Sequence, residues 1–254
     1  MGASLAVVTG GSSGIGRQLV RSFVTSGYAV AFTYVGPDAP AEQLVGELAA
    51  NGGRICAIAA DAGIAAEVDA FYERIDAWHG DAPDVLINNA AIQTWAPLLE
   101  LDAARWDAVL RTNLRGCFLN TQQAARRMVQ AGKGGCIINI GSGCNKLAFP
   151  RLVDYTASKG GVEQFTKVAA VELGPHGIRV NCLAPGAIDT ERTRQESNDY
   201  SGTWSRLTPL RRVGQPQDVA AVALFLASDA ASFVSGQTIG VDGGLFSQAI
   251  WPQE

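Results

Sequence analysis

A short apolar run, Leu5-Ala6-Val7-Val8-Thr9, passes directly into Gly10-Gly11-Ser12-Ser13-Gly14-Ile15-Gly16 and then into a segment of helical spacing, Arg17 to Val24. The run is too short for a helix and reads as a buried strand. Strand, glycine turn and helix start, in that order, constrain this chain more than any other feature, because together they form the local architecture of a dinucleotide site. Glycine lets the backbone approach a pyrophosphate, and the helix start offers free N–H groups at the positive end of its dipole. The glycines are spaced G-x-x-x-G-x-G (Gly10, Gly14, Gly16) rather than in the commoner G-x-G-x-x-G. A glycine turn by itself carries little weight, since turns use glycine wherever φ must be positive.

A second feature lies in the other half of the chain. Tyr155 and Lys159 stand four residues apart, so on a helix they project from one face. A nearby ammonium favours the phenolate, and the expectation is a tyrosine pKa lowered from about 10, fit for proton transfer near neutral pH. Ser142, thirteen positions before Tyr155, ends an apolar run. Alone, such a pair is ordinarily one packed phenol and one solvated lysine; the nucleotide signature in the same chain changes the balance.

The chain of 254 residues, 47% hydrophobic, is long enough to bury one large core. A net charge of −4 argues against nucleic acid or an anionic membrane as the main partner. No apolar stretch approaches a membrane span, and Met1-Gly2-Ala3-Ser4 leads straight into the first strand without a leader pattern. Cys56, Cys117, Cys136, Cys144 and Cys182 are odd in number and contain no C-x-x-C pair, which reads as reduced thiols in a cytoplasmic protein. Cys144 stands two residues after Ser142 and is a candidate pocket wall. His79 and His176 sit beside glycines at expected helix ends, and no His/Cys cluster marks a metal site.

Strand and helix patterns alternate throughout, which implies a single α/β domain, a doubly wound parallel sheet of about seven strands with helices on both faces. The expected strands are 5–9, 29–34, 54–59, 85–88, 135–140, 178–183 and 238–241. The expected helices are 14–26, 39–51, 65–79, 103–131, 154–173 and 216–228. Residues 189–212 are polar and aperiodic, too long for a plain connection, and read as a functional lid.

Thr9-Gly10-x-x-x-Gly14-x-Gly16, Asn88-Asn89-Ala90-Ala91, Asn113, Ser142, Tyr155-x-x-x-Lys159 and Pro185-Gly186-Ala187-Ile188-Asp189-Thr190 together resemble a classical short-chain dehydrogenase/reductase, in order and spacing, over about residues 4–244. The resemblance implies a Rossmann fold and hydride transfer between a nicotinamide and a carbonyl carbon. It implies Tyr155 as general acid and base, Lys159 lowering its pKa and holding the nicotinamide ribose, Ser142 on the substrate oxygen, and Asn113 orienting a water relay. It further implies cofactor contacts from Gly10, Ser12, Ser13, Gly14, Ile15, Gly16, Thr33, Tyr34, Asp61, Ala62, Asn89, Ala90, Ala91, Tyr155, Lys159, Pro185, Gly186, Ile188 and Thr190. Asp61 is equally placed to cap the next helix, and Ala91 stands where the family usually has glycine.

An acid at the end of the second strand would bind a ribose 2′-OH and repel a 2′-phosphate. This chain has Thr33-Tyr34-Val35-Gly36 there, and its first acid is Asp38. The expectation is NADP(H) as preferred cofactor, with NAD(H) also accepted. Arg17, directly after Gly16, is the candidate cation for the phosphate, or else an exposed first-turn residue.

The segment 146–153, with Gln93, Thr94 and Trp95 and with Trp204 from the lid, is expected to wall a mostly apolar substrate pocket. Phe149-Pro150 is similar to the glucose-dehydrogenase branch of the family. Ile138-Asn139-Ile140-Gly141-Ser142 and the missing strand-end acid are similar to the 3-oxoacyl-carrier-protein reductase branch. An acyl carrier would need a basic patch, for which Arg126, Arg127 and Lys133 are the modest candidates. The readings are therefore an NADPH-dependent carbonyl reductase, an NAD(P)-dependent sugar or polyol dehydrogenase, and a nucleotide sensor without turnover. The resemblance also implies a homotetramer, with the apolar tail Leu245 to Pro252 covered by a neighbouring subunit.

Overall fold

The computed structural model describes residues 3–248. Its seven strands are β1 Leu5–Val8, β2 Ala29–Tyr34, β3 Ile55–Ala59, β4 Val85–Asn88, β5 Gly135–Ile140, β6 Ile178–Pro185 and β7 Thr238–Val241. They form one sheet in the order β3-β2-β1-β4-β5-β6-β7, each neighbouring pair parallel. The α-helices are α1 Gly14–Thr25, α2 Ala39–Ala50, α3 Ala65–His79, α4 Ala103–Leu110, α5 Gly116–Gln130, α6 Val153–Leu173, α7 Glu191–Glu196, α8 Tyr200–Leu207 and α9 Pro216–Ala227.

The apolar strands are continuous because both faces are covered. In β1, Ala6 and Val8 face the layer holding Phe23 of α1, Leu44 of α2 and Leu226 of α9. Leu5 and Val7 face the opposite layer, with Phe71 and Tyr72 of α3, Met128 of α5 and Ala169 of α6. Full burial of a side chain such as Phe23 or Phe71 contributes roughly 1.5–3 kcal/mol.

Strand order reverses between β1 and β4, and a crevice opens beyond their carboxyl ends, the usual ligand position in such sheets. Side chains stitch its floor. Thr9 Oγ1 accepts from the N–H groups of Asn89 and Ala90 at 2.9 and 3.0 Å, and Asn89 Nδ2 donates to the carbonyls of Thr9 and Gly10 at 3.0 and 2.9 Å. Gly16 is obligatory there, since a Cβ would lie 2.0 Å from the Gly10 oxygen.

Two elements differ from expectation. The single helix over 103–131 is interrupted by a π turn, Arg111–Arg115, because the Asn113 side chain reaches out of the helix to another loop. The aperiodic stretch 189–212 contains α7 and α8, too short to show helical periodicity but each started by a side-chain cap, Thr190 and Asp199. Among the described residues no helix is long and apolar enough to cross a membrane.

Candidate active site

Helix α6 presents Tyr155 and Lys159 on one face, and Ser142 follows the end of β5. Lys159 is 3% exposed; its Nζ donates to the Ile140 carbonyl at 2.6 Å and lies 5.5 Å from the centre of the Tyr155 ring. Ser142 is held by a reciprocal cap: its N–H donates to Asn145 Oδ1 at 3.0 Å, and its Oγ accepts from the Cys144 N–H at 3.3 Å.

The electrostatics reverse one expectation. Burial pushes the Tyr155 phenol up to about 12, the Cys144 thiol adds to the rise, and Arg192 with the Ser142 hydrogen bond only partly offset it. Burial pulls the Lys159 ammonium down to about 8. Desolvation therefore dominates both groups, and the groups that lower the Tyr155 pKa are Arg192 and Ser142.

Behind this pair, Asn113 is buried in the π turn. Its Oδ1 accepts from the Ile92 N–H and its Nδ2 donates to the Ile92 carbonyl, both at 2.8 Å, with a further bond to Ser158 Oγ at 3.0 Å. Asn113, Lys159, Asn88 and Thr9 line a small cavity of about 10 Å³. That is close to the space one water needs, and the buried Asn88 Oδ1 beside it has no hydrogen-bond partner among the described residues.

Tyr155 and Ser142 stand at one end of a cleft of about 880 Å³ that reaches Thr33 and Tyr34 at the end of β2. Along it lie Gly10, Ser12, Ser13, Gly14, Ile15, Gly16, Asp61, Ala62, Asn89, Ala90, Ala91, Lys159, Pro185, Gly186, Ile188 and Thr190. The start of α1 opens onto this wall with no side-chain cap from Ser13, and Gly10 and Gly14 hold φ of 67° and 49°. Open N–H groups at a helix start, flanked by glycine backbone, fit a pyrophosphate.

Arg17 is the exception. It does not line the cleft; its Nε donates to the Ser12 carbonyl at 2.9 Å and its Nη1 pairs with Glu191 at 3.3 Å. The hydroxyls at the end of β2 are also engaged. Thr33 Oγ1 accepts from the Gly10 N–H at 3.1 Å, and Tyr34 donates to Asp38 at 2.7 Å, which raises its phenol pKa. The cation that opens onto this end is Arg111, 3.8 Å from Asp61. Asp61 caps no helix; it accepts from the Gly63 N–H at 2.8 Å, while α3 starts after Ile64.

Around Ser142 and Tyr155, Phe149, Leu152, Gln93, Trp95 and Trp204 line the cleft as expected, joined by the candidate wall residue Cys144 and by Tyr200, Arg192, Glu196 and Phe246, which no local sequence pattern marks. Phe246 packs edge-on to Phe149 at 5.7 Å, and Leu245 is buried with Ala187 and Val213. Leu245 is thus covered by its own chain and Phe246 only in part; residues 249–252 lie outside the described range. Two of the three cations of the basic patch are paired, Arg127 with Asp76 and Lys133 with Asp81 and Asp84. All five cysteines are free, and among the described residues no His/Cys/Asp/Glu cluster could hold a metal ion.

This is the arrangement of an oxidoreductase that uses a nicotinamide dinucleotide. A family model described as enoyl-(acyl carrier protein) reductase matches residues 10–246. The chain is 39% identical over 241 residues to the 3-oxoacyl-[acyl-carrier-protein] reductase FabG of Staphylococcus aureus, covering 95% of this chain and 97% of that one. It is 36% identical over 241 residues to 3beta-hydroxysteroid dehydrogenase 1 of Eggerthella lenta, covering 94% and 92%. A gluconate 5-dehydrogenase from Burkholderia cenocepacia, solved with NADP and tartrate, superposes with a TM-score of 0.90 at 36% identity, covering 98% and 97%. The chain belongs to the short-chain dehydrogenase/reductase family and is an NAD(P)-dependent oxidoreductase.

Proposed function

We propose that the protein is an NADPH-dependent reductase that reversibly converts a ketone to a secondary alcohol. The observation that carries this reading is the convergence of Ser142, Tyr155 and Lys159 at one end of a cleft whose other wall is an uncapped helix start. When bound, the nicotinamide supplies or takes up the hydride. Tyr155 gives its proton to the substrate oxygen in reduction and takes one back in oxidation, and Ser142 holds that oxygen against it. Lys159 engages the ribose hydroxyls, and its ammonium favours the phenolate once the cleft is filled. The small cavity between Asn113 and Lys159 gives the proton a route to Lys159 through one water. Ile188 and Thr190 fix the carboxamide, and the segment 189–212 acts as the lid.

NADPH preference is supported by the missing acid at the end of β2 and by the NADP bound to the gluconate 5-dehydrogenase neighbour. Its test is the rate of NADPH and NADH oxidation over a panel of ketones, keto esters and a 3-oxoacyl thioester. A clear NADPH preference is expected, and equal kcat/KM for the two cofactors would defeat it. The same neighbour favours a second reading, an NAD(P)-dependent sugar or polyol dehydrogenase, which would appear as alcohol oxidation in the absence of ketone reduction. Five unpaired cysteines suit a reducing, cytoplasmic setting. The proposed assembly is a homotetramer, with the apolar groove of Leu114, Phe118 and Phe165 between α4, α5 and α6 as a subunit face.

A further inference from the structure

Six arginines lie on or beside the lid, Arg17, Arg192, Arg194, Arg206, Arg211 and Arg212, and of these only Arg192 lines the cleft while three others are held in tight pairs. Arg194 makes two hydrogen bonds to Asp189 at 2.7 and 2.9 Å, Arg212 two to Asp218 at 2.6 and 2.8 Å, and Arg17 holds Ser12 and Glu191. Arg192 differs. It lines the cleft beside Tyr155, makes no hydrogen bond within the described residues, and has one ionic contact, Nε to Glu196 at 3.5 Å. Its side chain is 53% exposed. An exposed Arg–Glu contact one helical turn apart is worth little, whereas a bidentate guanidinium–carboxylate pair is among the stronger polar contacts available. Glu196 has a second partner, since its Oε1 accepts from Gln93 Nε2 at 3.0 Å. Glu196 therefore keeps a hydrogen bond if Arg192 turns to a ligand.

We propose that Arg192 is a substrate-binding residue that pairs with a carboxylate, and that the substrate is a keto acid with an aromatic or other bulky apolar body. The proposal rests on the carbonyl reduction assigned above. Arg192 is close enough to the reacting groups to lower the pKa of both Tyr155 and Lys159. The apolar body has its walls in Trp95, Phe149, Tyr200, Trp204 and Phe246. In the reaction the ketone carbon gains hydride from reduced nicotinamide and its oxygen gains the Tyr155 proton; the carboxylate at Arg192 is unchanged. The cofactor is oxidised as the keto acid becomes a hydroxy acid.

The test compares 2-oxo-4-phenylbutanoate with its ethyl ester, using NADPH and the full-length protein, with Arg192→Ala, Arg192→Lys and Glu196→Gln as variants. The wild type should favour the acid. Arg192→Ala should lower the acid-to-ester ratio of kcat/KM by about tenfold or more, the scale of one charge-assisted pair. Arg192→Lys, which keeps the charge but loses the fork, should fall between, and Glu196→Gln should raise the ratio. An unchanged ratio in Arg192→Ala overturns the proposal, as does a rise in the KM for NADPH matching that for the acid, which would assign Arg192 to the cofactor. If neither compound is reduced, the reductase reading fails on its own account. Quenching of tryptophan fluorescence by 2-hydroxy-4-phenylbutanoate then decides the anion site: quenching lost in Arg192→Ala sustains it, and no binding to the wild type removes it.

Discussion

Asn113 Nδ2 donates to Ser158 Oγ at 3.0 Å, and the same hydroxyl donates to the Tyr155 carbonyl at 2.7 Å. Ser158 thus joins the π turn to the first turn of α6 and fixes Tyr155 relative to the loop after β4. Ser158→Ala leaves a buried Asn113 N–H short of a partner, which costs about 1–3 kcal/mol. The expected result is lower stability in denaturant together with a fall in kcat and a displaced pH profile. A stability loss with an unmoved kcat and pH profile would make Ser158 merely structural.

Tyr155→Phe removes the proposed proton donor without changing the shape of the wall. Turnover should fall by roughly 10²–10⁴, the usual worth of general acid–base catalysis, while NADPH still binds in a fluorescence titration. Retained turnover would refute the role assigned to Tyr155.

The pH dependence follows from the two buried groups. With the Tyr155 pKa near 12, the phenol stays protonated through the neutral range, so reduction always has its acid. With the Lys159 pKa near 8, the ammonium is lost as pH rises past that value. Ketone reduction should therefore decline above about pH 8, and alcohol oxidation, which needs the phenolate, should rise across the alkaline range. Parallel profiles in the two directions would contradict this.

Lys159 also burdens the free fold. Its pKa is lower in the folded chain, about 8, than the ordinary lysine value of 10.5, so between those values the unfolded chain binds more protons and stability rises with pH. Below pH 8 the full penalty is present. Lys159→Met should then stabilise the cofactor-free protein at pH 7, by on the order of 1–3 kcal/mol, while abolishing turnover. Urea denaturation at pH 7 and pH 10 measures both signs, and a less stable Lys159→Met variant would overturn the account.

Asp38 accepts the Tyr34 hydroxyl and so holds a carboxylate near the expected adenosine end of the cleft. Asp38→Asn removes that charge. An exposed charge is worth roughly 0.2–1 kcal/mol, so the NADPH-to-NADH ratio of kcat/KM should rise by a factor between about 1.4 and 5. A lower ratio would show that Asp38 does not face the 2′ position.

The sheet and the nucleotide wall were legible because their signals are local. Leu5 to Gly16 fixes a strand, a turn and a helix start within twelve residues, and the apolar runs at Val85 and Ile137 have no other use. The i, i+4 spacing of Tyr155 and Lys159 shows from one helix alone. What escaped was set by contacts distant in sequence. Arg17 looks well placed for a phosphate until Glu191, 174 positions away, pairs with it. Spacing to Lys159 predicts a lowered Tyr155 pKa, but the pKa is set by burial, which depends on the whole fold around the ring and raises it. Arg192 and Glu196 lie in an aperiodic stretch, and only the fold brings them to Gln93 and Tyr155.

Phe246 seats against Phe149 and Gly143. During synthesis, then, the glycine wall emerges first and Tyr155 midway, while Phe246, the last side chain of the cleft's aromatic face, leaves the ribosome almost a hundred residues after Tyr155. Loss of Phe246 would therefore spare the glycine wall and Tyr155 while uncovering Phe149 and Gly143.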